Sequence, residues 1–260
     1  MITNSYNIKI TSGTREFIIS PTSGAHLISN DGFYSPDCDV KLSSYAWGEG
    51  GYPTKRRYGE RILTLEVEIC GENPAETRRR LAAMMNPESG CVIDVTAEGV
   101  HRKISAIPYG DVKFTTHTFA GIVDCEMSFV APGIFFEGAV ETVGTDNASG
   151  GKTLVNGGDV PCGIVATISA SGGSVVTPTI SCGGKYVKCP VTLSDGDTLV
   201  IDTRERQKKI TLKGSPYYGF DAGSTFFTIP VGTSVVKITA QSGSEYITSD
   251  VRFTPLYCGI

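Results

Sequence analysis

The sequence predicts a mainly β protein in which an N-terminal antiparallel β domain carries one α-helix and a C-terminal domain is an all-β sandwich of jelly-roll type. Short β-branched runs, several of them alternating between apolar and polar residues, recur along the chain between Gly, Pro, Asn and Asp turns. Helical periodicity occurs in a single segment. The chain has 260 residues, which exceeds the usual domain size of roughly 100–200 residues. We therefore expect two domains, 1–132 and 133–260.

The first domain is predicted from strand-like runs and one capped helix. Asn73 is expected to cap the helix, Pro74 to take its first position, and Glu76 to complete a capping box. The apolar stripe of this helix is Leu81, Met84 and Met85. The Asn-Pro pair at 86–87 ends it. The predicted strands of this domain are residues 8–10, 16–19, 62–69, 91–95, 102–107 and 122–130.

The second domain is predicted from strands and turns alone. About eight or more strand-like runs in roughly 110 residues are typical of a β-sandwich or jelly roll. Ile134, Phe135 and Phe136 are expected to form its first strand, and the Asp195-Gly196 step is a natural hairpin tip. The other predicted strands are residues 154–155, 163–168, 190–193, 198–202, 209–212, 224–229, 234–240 and 250–253.

Charge and hydropathy exclude several classes of partner. The formal net charge is −4, and the basic runs at 55–57 and 78–80 are each flanked by acidic residues. Nucleic-acid binding, which needs a concentrated basic surface, is therefore not expected. No run approaches the ~18 apolar residues of a membrane helix, so no membrane partner is expected. The N-terminal residues have neither a basic leader nor an apolar stretch, so export by a signal peptide is not expected.

The cysteines and histidines predict no cofactor. The chain has 8 cysteines and 3 histidines, without a C-x-x-C pair or a zinc-ligand spacing. We expect free, half-buried thiols in a protein folded in reducing cytoplasm, and no metal.

No sequence pattern supports an enzyme. The GGKT stretch at 150–153 lacks the first glycine of a phosphate-binding loop, and no G-x-S-x-G elbow occurs. Paired carboxylates for glycoside cleavage can lie far apart in sequence and stay open on this reasoning. The nearest pairs, Glu66 with Glu68 and Asp195 with Asp197, are expected to be a polar sheet face and a hairpin tip. Asp202 is expected to fix a turn through backbone amides.

Several motifs in order along the chain resemble the distal tail proteins of siphophages. In the first half they are DGF at 31–33, YGERI at 58–62, the capped helix after Cys70-Gly71, and MSFVAP at 127–132. In the second half they are VNGGDVP at 155–161, GDTLVIDT at 196–203, FFTIPVG at 226–232 and VRFTP at 251–255. Each motif alone is weak, whereas their order and separations together are specific.

This resemblance implies a structural component of a bacteriophage or prophage tail tip or baseplate. It implies that the N-terminal domain forms a hexameric ring joining the tail tube to the central hub, and that the C-terminal domain is a galectin-like sandwich. The implied partners are further copies of the chain, the tail tube protein, the central hub or tail-associated protein, and a receptor-binding protein. The implied location is the virion tail tip, after synthesis and assembly in the bacterial host cytoplasm. The long insertions of carbohydrate-binding members are missing here, so direct receptor binding is not expected.

Two aromatic segments are the candidate contact sites. The segment 45–58 combines aromatic and arginine side chains, which interface centres favour. Its predicted subunit-interface residues are Trp47, Tyr52, Arg56, Arg57 and Tyr58. A second cluster, Tyr217, Tyr218 and Phe220, is predicted to make peripheral contacts.

Two other functions stay open on the sequence. Aromatic side chains also stack on sugars, so one alternative is a carbohydrate-binding module or adhesin involved in host-surface recognition. The other is a wall-degrading enzyme carried by the particle.

Overall fold

The computed structural model describes residues 6–70, 74–117, 122–146 and 151–260, and within them it has 23 β-strands, one α-helix and a short 3-10 helix. The predicted fold class, mainly β with one helix in the first half, is confirmed. None of the described helices is long and apolar enough to cross a membrane. The chain divides into two compact units, unit 1 (Met1–Glu137 with Tyr257–Ile260) and unit 2 (Gly138–Leu256).

Unit 1 is built on one antiparallel sheet and a separate two-stranded ribbon. Its elements are β1 (Asn7–Ser12), β2 (Arg15–Ile19), β3 (Ala25–Asp31), β4 (Cys38–Ser44), β5 (Gly51–Tyr58), β6 (Arg61–Cys70), α1 (Pro74–Met84), β7 (Cys91–Ala97), β8 (Val100–His117), β9 (Ile122–Ala131) and β10 (Phe136–Glu137). In the described residues the sheet order is β2-β1-β7-β8-β9-β6-β3, and β10 adds to β8. Among the described strands, β4 and β5 pair only with each other.

Alternation along the strands places the core of unit 1 on one face of the sheet. In β6 the residues at odd positions from 61 to 69 are buried, and those at even positions from 62 to 70 are exposed or half-buried. The same two-residue period in β7 buries Cys91, Ile93 and Val95. The two end strands of the sheet are connected by a short turn, in which the Ser20 amide donates to the Ala25 carbonyl at 3.0 Å.

The helix begins and ends at the residues that its start and stop signals predict. Pro74 is the first residue of α1, and the helix ends at Met84, before the Asn-Pro pair. Leu81 and Met84 are buried in the unit 1 core and Met85 packs against it, so the predicted stripe is the buried face. The predicted cap, Asn73, lies outside the described residues.

The segment after β9 differs from expectation because it stays in unit 1. Residues 131–135 form a turn in which the Ile134 amide donates to the Ala131 carbonyl and the Phe135 amide to the Gly133 carbonyl. Phe136 is fully buried in the unit 1 core, where its ring centroid lies 6.0 Å from that of Phe33. The boundary between the compact units therefore falls at 137/138 rather than at 132/133.

A buried arginine joins three distant segments of unit 1. Arg61, at the start of β6, is 1% exposed. Its Nη1 donates to the Ile134 carbonyl at 2.6 Å and its Nη2 to the Cys258 carbonyl at 2.5 Å. The guanidinium carbon lies 4.8 Å from the ring centroid of Phe136. Burial lowers the pKa of Arg61. We call Phe33, Arg61, Ile134, Phe136 and Cys258 the Arg61 junction.

Residues 257–260 belong to unit 1 although they follow unit 2 in the chain. They follow the start of β23 (Leu256–Tyr257), which pairs with β10. The guanidinium of Arg102 lies 3.5 Å from the ring centroid of Tyr257, and Arg102 also donates to the Gly259 carbonyl. The Ile260 amide donates to the Phe33 carbonyl at 3.2 Å. These contacts complete the unit 1 core.

Unit 2 consists of two main sheets around one core. Its strands are β11 (Glu141–Asp146), β12 (Lys152–Asn156), β13 (Ile164–Ala170), β14 (Val175–Val176), β15 (Thr179–Cys182), β16 (Lys185–Lys188), β17 (Thr192–Leu193), β18 (Thr198–Asp202), β19 (Lys209–Leu212), β20 (Ser215–Pro216), β21 (Gly232–Thr239) and β22 (Ile247–Phe253). The sheet orders within the described residues are β11-β22-β13-β18-β19-β20 and β12-β21-β15-β16. Buried residues of both sheets, such as Ile168 and Val236, share one apolar cluster.

Replacing Arg61 with methionine should destabilise unit 1. The change keeps an unbranched side chain but removes the donors to the carbonyls of the half-buried residues Ile134 and Cys258, and an acceptor left without its donor costs about 1–3 kcal/mol. We expect the free energy of unfolding, measured by urea titration with circular dichroism, to fall by at least about 2 kcal/mol. The matched change Arg79→Met, at a side chain that is 79% exposed, should alter it by less than about 0.5 kcal/mol. Equal stability of both variants would contradict the role of Arg61.

The cysteines should react with a thiol reagent in the order of their exposure. All eight are free; Cys38 is exposed, Cys70 and Cys258 are half-buried, and the others are buried. Burial raises the pKa of Cys125 and Cys189 to about 12, so these two stay protonated at neutral pH. We expect a fast phase that Cys38→Ser removes, a slower phase from two thiols, and the remainder only after unfolding. A total below eight in unfolded protein, without reductant and with chelator present, would indicate disulfides.

Candidate assembly surface

The β4–β5 ribbon carries all five residues of the predicted subunit interface. Its register pairs Cys38 with Tyr58 at one end and Ser44 with Gly51 at the other, with a register shift after Lys41. The loop between the strands is closed by a hydrogen bond from the Tyr45 amide to the Gly50 carbonyl at 3.3 Å. Among the described strands, this hairpin adds no strand to the main sheet.

Large apolar side chains of the ribbon are exposed rather than packed. Trp47, in the loop, is 94% exposed, and Leu42 is 69% exposed. The other exposed apolar side chains of the ribbon are Val40, Tyr45, Tyr52 and Tyr58. Sequence reasoning missed Val40 and Leu42; their spacing of two residues in a short run was the signal that could have found them.

The charged residues of the ribbon are divided between its two faces. Asp39 accepts hydrogen bonds from Lys55 Nζ at 2.7 Å and from Arg57 Nε at 2.9 Å. These two cations hold the pKa of the Asp39 carboxyl below its usual range. Arg56 points to the opposite face, beside Val40 in the register. It makes no ion pair with any described residue, so its charge is available to another chain.

The aromatic residues differ in how they are held. The Tyr58 ring meets Phe135 edge-on with centroids 5.1 Å apart, which anchors the base of the ribbon. Tyr52 lies 5.8 Å from Tyr45, centroid to centroid, near the loop. Trp47 has no ring partner in the part of the chain that is described. The structure thus brings the five predicted residues onto one element, with Tyr58 as anchor and Trp47 outermost.

The second predicted cluster is split between structural and exposed residues. Tyr217 packs against the unit 2 core, and its hydroxyl donates to the Gly219 carbonyl at 2.9 Å. Phe220 meets Phe226 edge-on at 6.0 Å between centroids. Tyr218 is 83% exposed. Of the three residues, Tyr218 is therefore the one that offers most of its surface to a partner.

The carboxylates considered for chemistry have structural partners. Asp202 is buried, accepts the Arg204 amide at 3.0 Å and forms a two-point ion pair with the Arg204 guanidinium. Asp197 accepts the Ser194 amide and pairs with Lys213 at 2.8 Å. Asp197 and Asp202 therefore hold turns together.

The GGKT stretch does not lead into a helix, because Lys152 begins strand β12.

The family comparison identifies unit 2. Residues 157–257 match the family described as the C-terminal domain of siphovirus-type tail components. No curated protein matches the sequence.

Three solved structures similar to this chain come from phage particles. The Dit protein of phage SPP1, described as a paradigm of the hub adsorption apparatus in phages that infect Gram-positive bacteria, has a TM-score of 0.71 at 13% identity, over 96% of this chain and 98% of that one. Two structures of the phage p2 baseplate in its activated conformation, with Sr and with Ca, have TM-scores of 0.57 and 0.56 at 8% identity. Each covers 98% of this chain and 99% of the other.

These findings agree with the motifs read from the sequence. The fold match spans nearly the whole chain, and the family match covers the unit that carries the motifs from 157 onwards. Residues 157–257 therefore belong to the family of siphovirus-type tail component domains, and the chain as a whole has the fold of the SPP1 hub protein and the p2 baseplate structures.

Proposed function

We propose that the protein forms a hexameric ring at the tail tip that joins the tail tube to the central hub, and that the β4–β5 ribbon makes the joints of the ring. The observation that carries this proposal is the ribbon itself. It pairs with no other described strand and exposes several large apolar side chains close together in sequence, among them Trp47 and Leu42.

An uncovered ribbon of this kind is physically costly. A two-stranded hairpin is marginally stable in water unless it packs against something else. Exposed Trp, Tyr and Leu side chains close together are typical of a contact surface. Arginine and aromatic residues are enriched at interface centres, and the hairpin carries Arg56 together with Trp47 and Tyr52. Contact with another chain would cover these groups.

Ring closure explains how one ribbon can serve every joint. In a ring, one patch of each subunit meets a different patch of the next, so all joints are equivalent. The ribbon is one patch, and the complementary patch lies elsewhere on the neighbouring copy. The hexameric state, and the tail tube and central hub as partners, rest on the resemblance to distal tail proteins. The likeness to the SPP1 hub and the p2 baseplate supports an assembly of this kind.

For unit 2 we propose a galectin-like sandwich that contacts other tail proteins, among them a receptor-binding protein. Its two sheets share one core, and exposed Tyr218 is available for such a contact. A carbohydrate-binding or adhesin function is the second candidate, favoured by the same side chain, because an exposed aromatic ring can stack on a sugar. Binding to a glycan array that Tyr218→Ser abolishes would favour this second function.

Reversing the charges of the ribbon should weaken the ring. We expect the full chain to form a hexamer at high concentration, seen by light scattering and negative-stain microscopy. Arg56→Glu with Arg57→Glu should return it to smaller species, because loss of one partner in a buried charged contact costs about 2–5 kcal/mol. The concentration needed for assembly should then rise by at least about tenfold.

Two control variants separate the interface from the ribbon's own stability. Arg56→Glu alone breaks no ion pair with a described residue, so it tests the interface without loosening the Asp39 contacts. Lys208→Glu with Lys209→Glu makes the same charge change at exposed positions of unit 2 and should leave assembly unchanged. Intact rings in both ribbon variants, or rings lost in the unit 2 control, would contradict this assignment.

The single tryptophan should report assembly directly. Trp47 is the only tryptophan of the chain and is 94% exposed. Dilute protein should therefore emit like tryptophan in water and be quenched efficiently by acrylamide. On ring formation the emission should shift to the blue and quenching should fall, because the indole loses contact with water. The Arg56→Glu and Arg57→Glu double variant should show no such shift under the same conditions. Identical emission from dilute subunits and isolated rings would place Trp47 outside the joint.

A further inference from the structure

Three metal-ligating side chains meet on the outer face of the unit 1 sheet. They are His26 on β3 and Glu68 and Cys70 on β6, all half-buried. We propose that these three residues bind a divalent transition-metal ion of the zinc type. The sequence alone had predicted no metal, since the histidine lies 42 positions before Glu68 and no ligand spacing is visible. The cluster is independent of the assembly surface.

Strand pairing explains why these residues come together. His26 and Glu68 are directly opposite each other in the antiparallel register of β3 and β6. Cys70 lies two residues beyond Glu68 and therefore on the same face of β6. The Cys70 amide donates to the Gly24 carbonyl at 2.8 Å, which fixes the backbone at the end of this strand. The ligands thus come from two neighbouring strands of one rigid sheet.

The distances suit a small ion. His26 Nδ1 lies 4.0 Å from Glu68 Oε1, Cys70 Sγ lies 3.2 Å from the same oxygen, and all three ligand atoms are within 4.8 Å of one another. Bonds of about 2.0–2.3 Å in a tetrahedral zinc site place neighbouring ligand atoms about 3.3–3.8 Å apart. Rotamer adjustments of less than an ångström would bring the three atoms into this range. The fourth position would face solvent.

The donor set selects the type of metal. A thiolate, an imidazole and a carboxylate are the usual ligands of zinc, and a catalytic or structural zinc site often has three or four of them. Calcium and magnesium prefer oxygen ligands in larger numbers. Soft sulfur therefore favours zinc and its chemical relatives over the alkaline-earth ions.

The charges around the cluster also favour a cation. On this face Glu66 lies opposite Glu126, and Glu68 lies opposite Asp124, across β6 and β9. Like charges directly opposite each other destabilise a sheet. Lys113 pairs with Glu126 at 3.0 Å. A divalent ion held by Glu68 would offset the repulsion between Glu68 and Asp124.

Binding requires the thiol to lose its proton. In the free protein Cys70 Sγ–H donates to Glu68. Burial, together with this hydrogen bond, raises the pKa of Cys70. The metal would replace the proton, which leaves to solvent, and the sulfur and the carboxylate would then both bind the ion instead of each other. The side chains of His26 and Glu68 are 44% and 38% exposed, so an ion can reach them.

Cobalt substitution tests the site with a spectroscopic signal. The full chain, free of any histidine tag and stripped with a chelator, should bind a single equivalent of Co²⁺ with a thiolate-to-cobalt charge-transfer absorption in the near ultraviolet. Zn²⁺ should displace the cobalt, and excess Ca²⁺ should not. Loss of an outer-shell partner costs about 10–100-fold in metal affinity. Loss of a direct ligand should cost more, so Cys70→Ser and His26→Gln should each weaken Zn²⁺ binding by at least about 100-fold. Cys70→Ser should also abolish the absorption band.

Matched variants keep this test independent of folding. Cys38→Ser and His101→Gln remove an exposed cysteine and an exposed histidine elsewhere in unit 1, and both should keep the band and the affinity. Far-ultraviolet circular dichroism checks that Cys70→Ser and His26→Gln are folded, and since the two changes lie on different strands, either one alone suffices. The proposal is overturned by a folded Cys70→Ser or His26→Gln variant with unchanged Zn²⁺ affinity, by the absence of the thiolate band in the unmodified chain, or by Ca²⁺ competing as well as Zn²⁺.

Discussion

A buried guanidinium that forms no ion pair with any described residue joins three distant segments of unit 1. A charge removed from water is stable only where polar groups surround it, and Arg61 finds them in two carbonyls and the face of Phe136. The carbonyls belong to Ile134 and Cys258, 73 and 197 positions away in the chain. Unit 1 therefore requires that the segments on both sides of unit 2 in the sequence return to the same place. The junction explains why the compact unit includes residues 257–260.

Contacts at the Arg61 junction explain two of the motifs that resemble distal tail proteins. Gly32 has a φ of 78°, and a Cβ there would lie 1.9 Å from the Ile62 carbonyl oxygen, so only glycine fits beside the start of β6. Asp31 accepts the Gly32 amide at 2.8 Å, and Phe33 fills the core beside Phe136. The DGF and YGERI motifs are therefore two sides of one contact, which accounts for their pairing in order along the chain.

One face of the unit 1 sheet packs into the core, and the opposite face carries the candidate metal ligands. Buried residues of β6 pack into the core, while its outward residues from Thr64 to Cys70 form a row of polar groups outside that core. Two of the candidate metal ligands, Glu68 and Cys70, belong to that outward row, and His26 lies beside them on β3. The ribbon differs, because both of its faces are open and neither contributes to the core. Its apolar and cationic side chains have no role in that core, which is why we propose that another chain covers them.

The sequence by itself determined the fold class, the helix at Pro74–Met84, and the resemblance of residues 157–257 to siphovirus-type tail components, because these depend on local signals: strand periodicity, a proline start and motif order. The aromatic and arginine content of residues 45–58 also indicated a contact segment. Only the tertiary structure decided that this segment is part of a hairpin that pairs with no other described strand. It also decided that Phe136 packs in unit 1 and that His26 lies beside Glu68 and Cys70. Each of these depends on strand register and long-range closure, and such pairings leave no local signal because the residues involved are far apart in the chain.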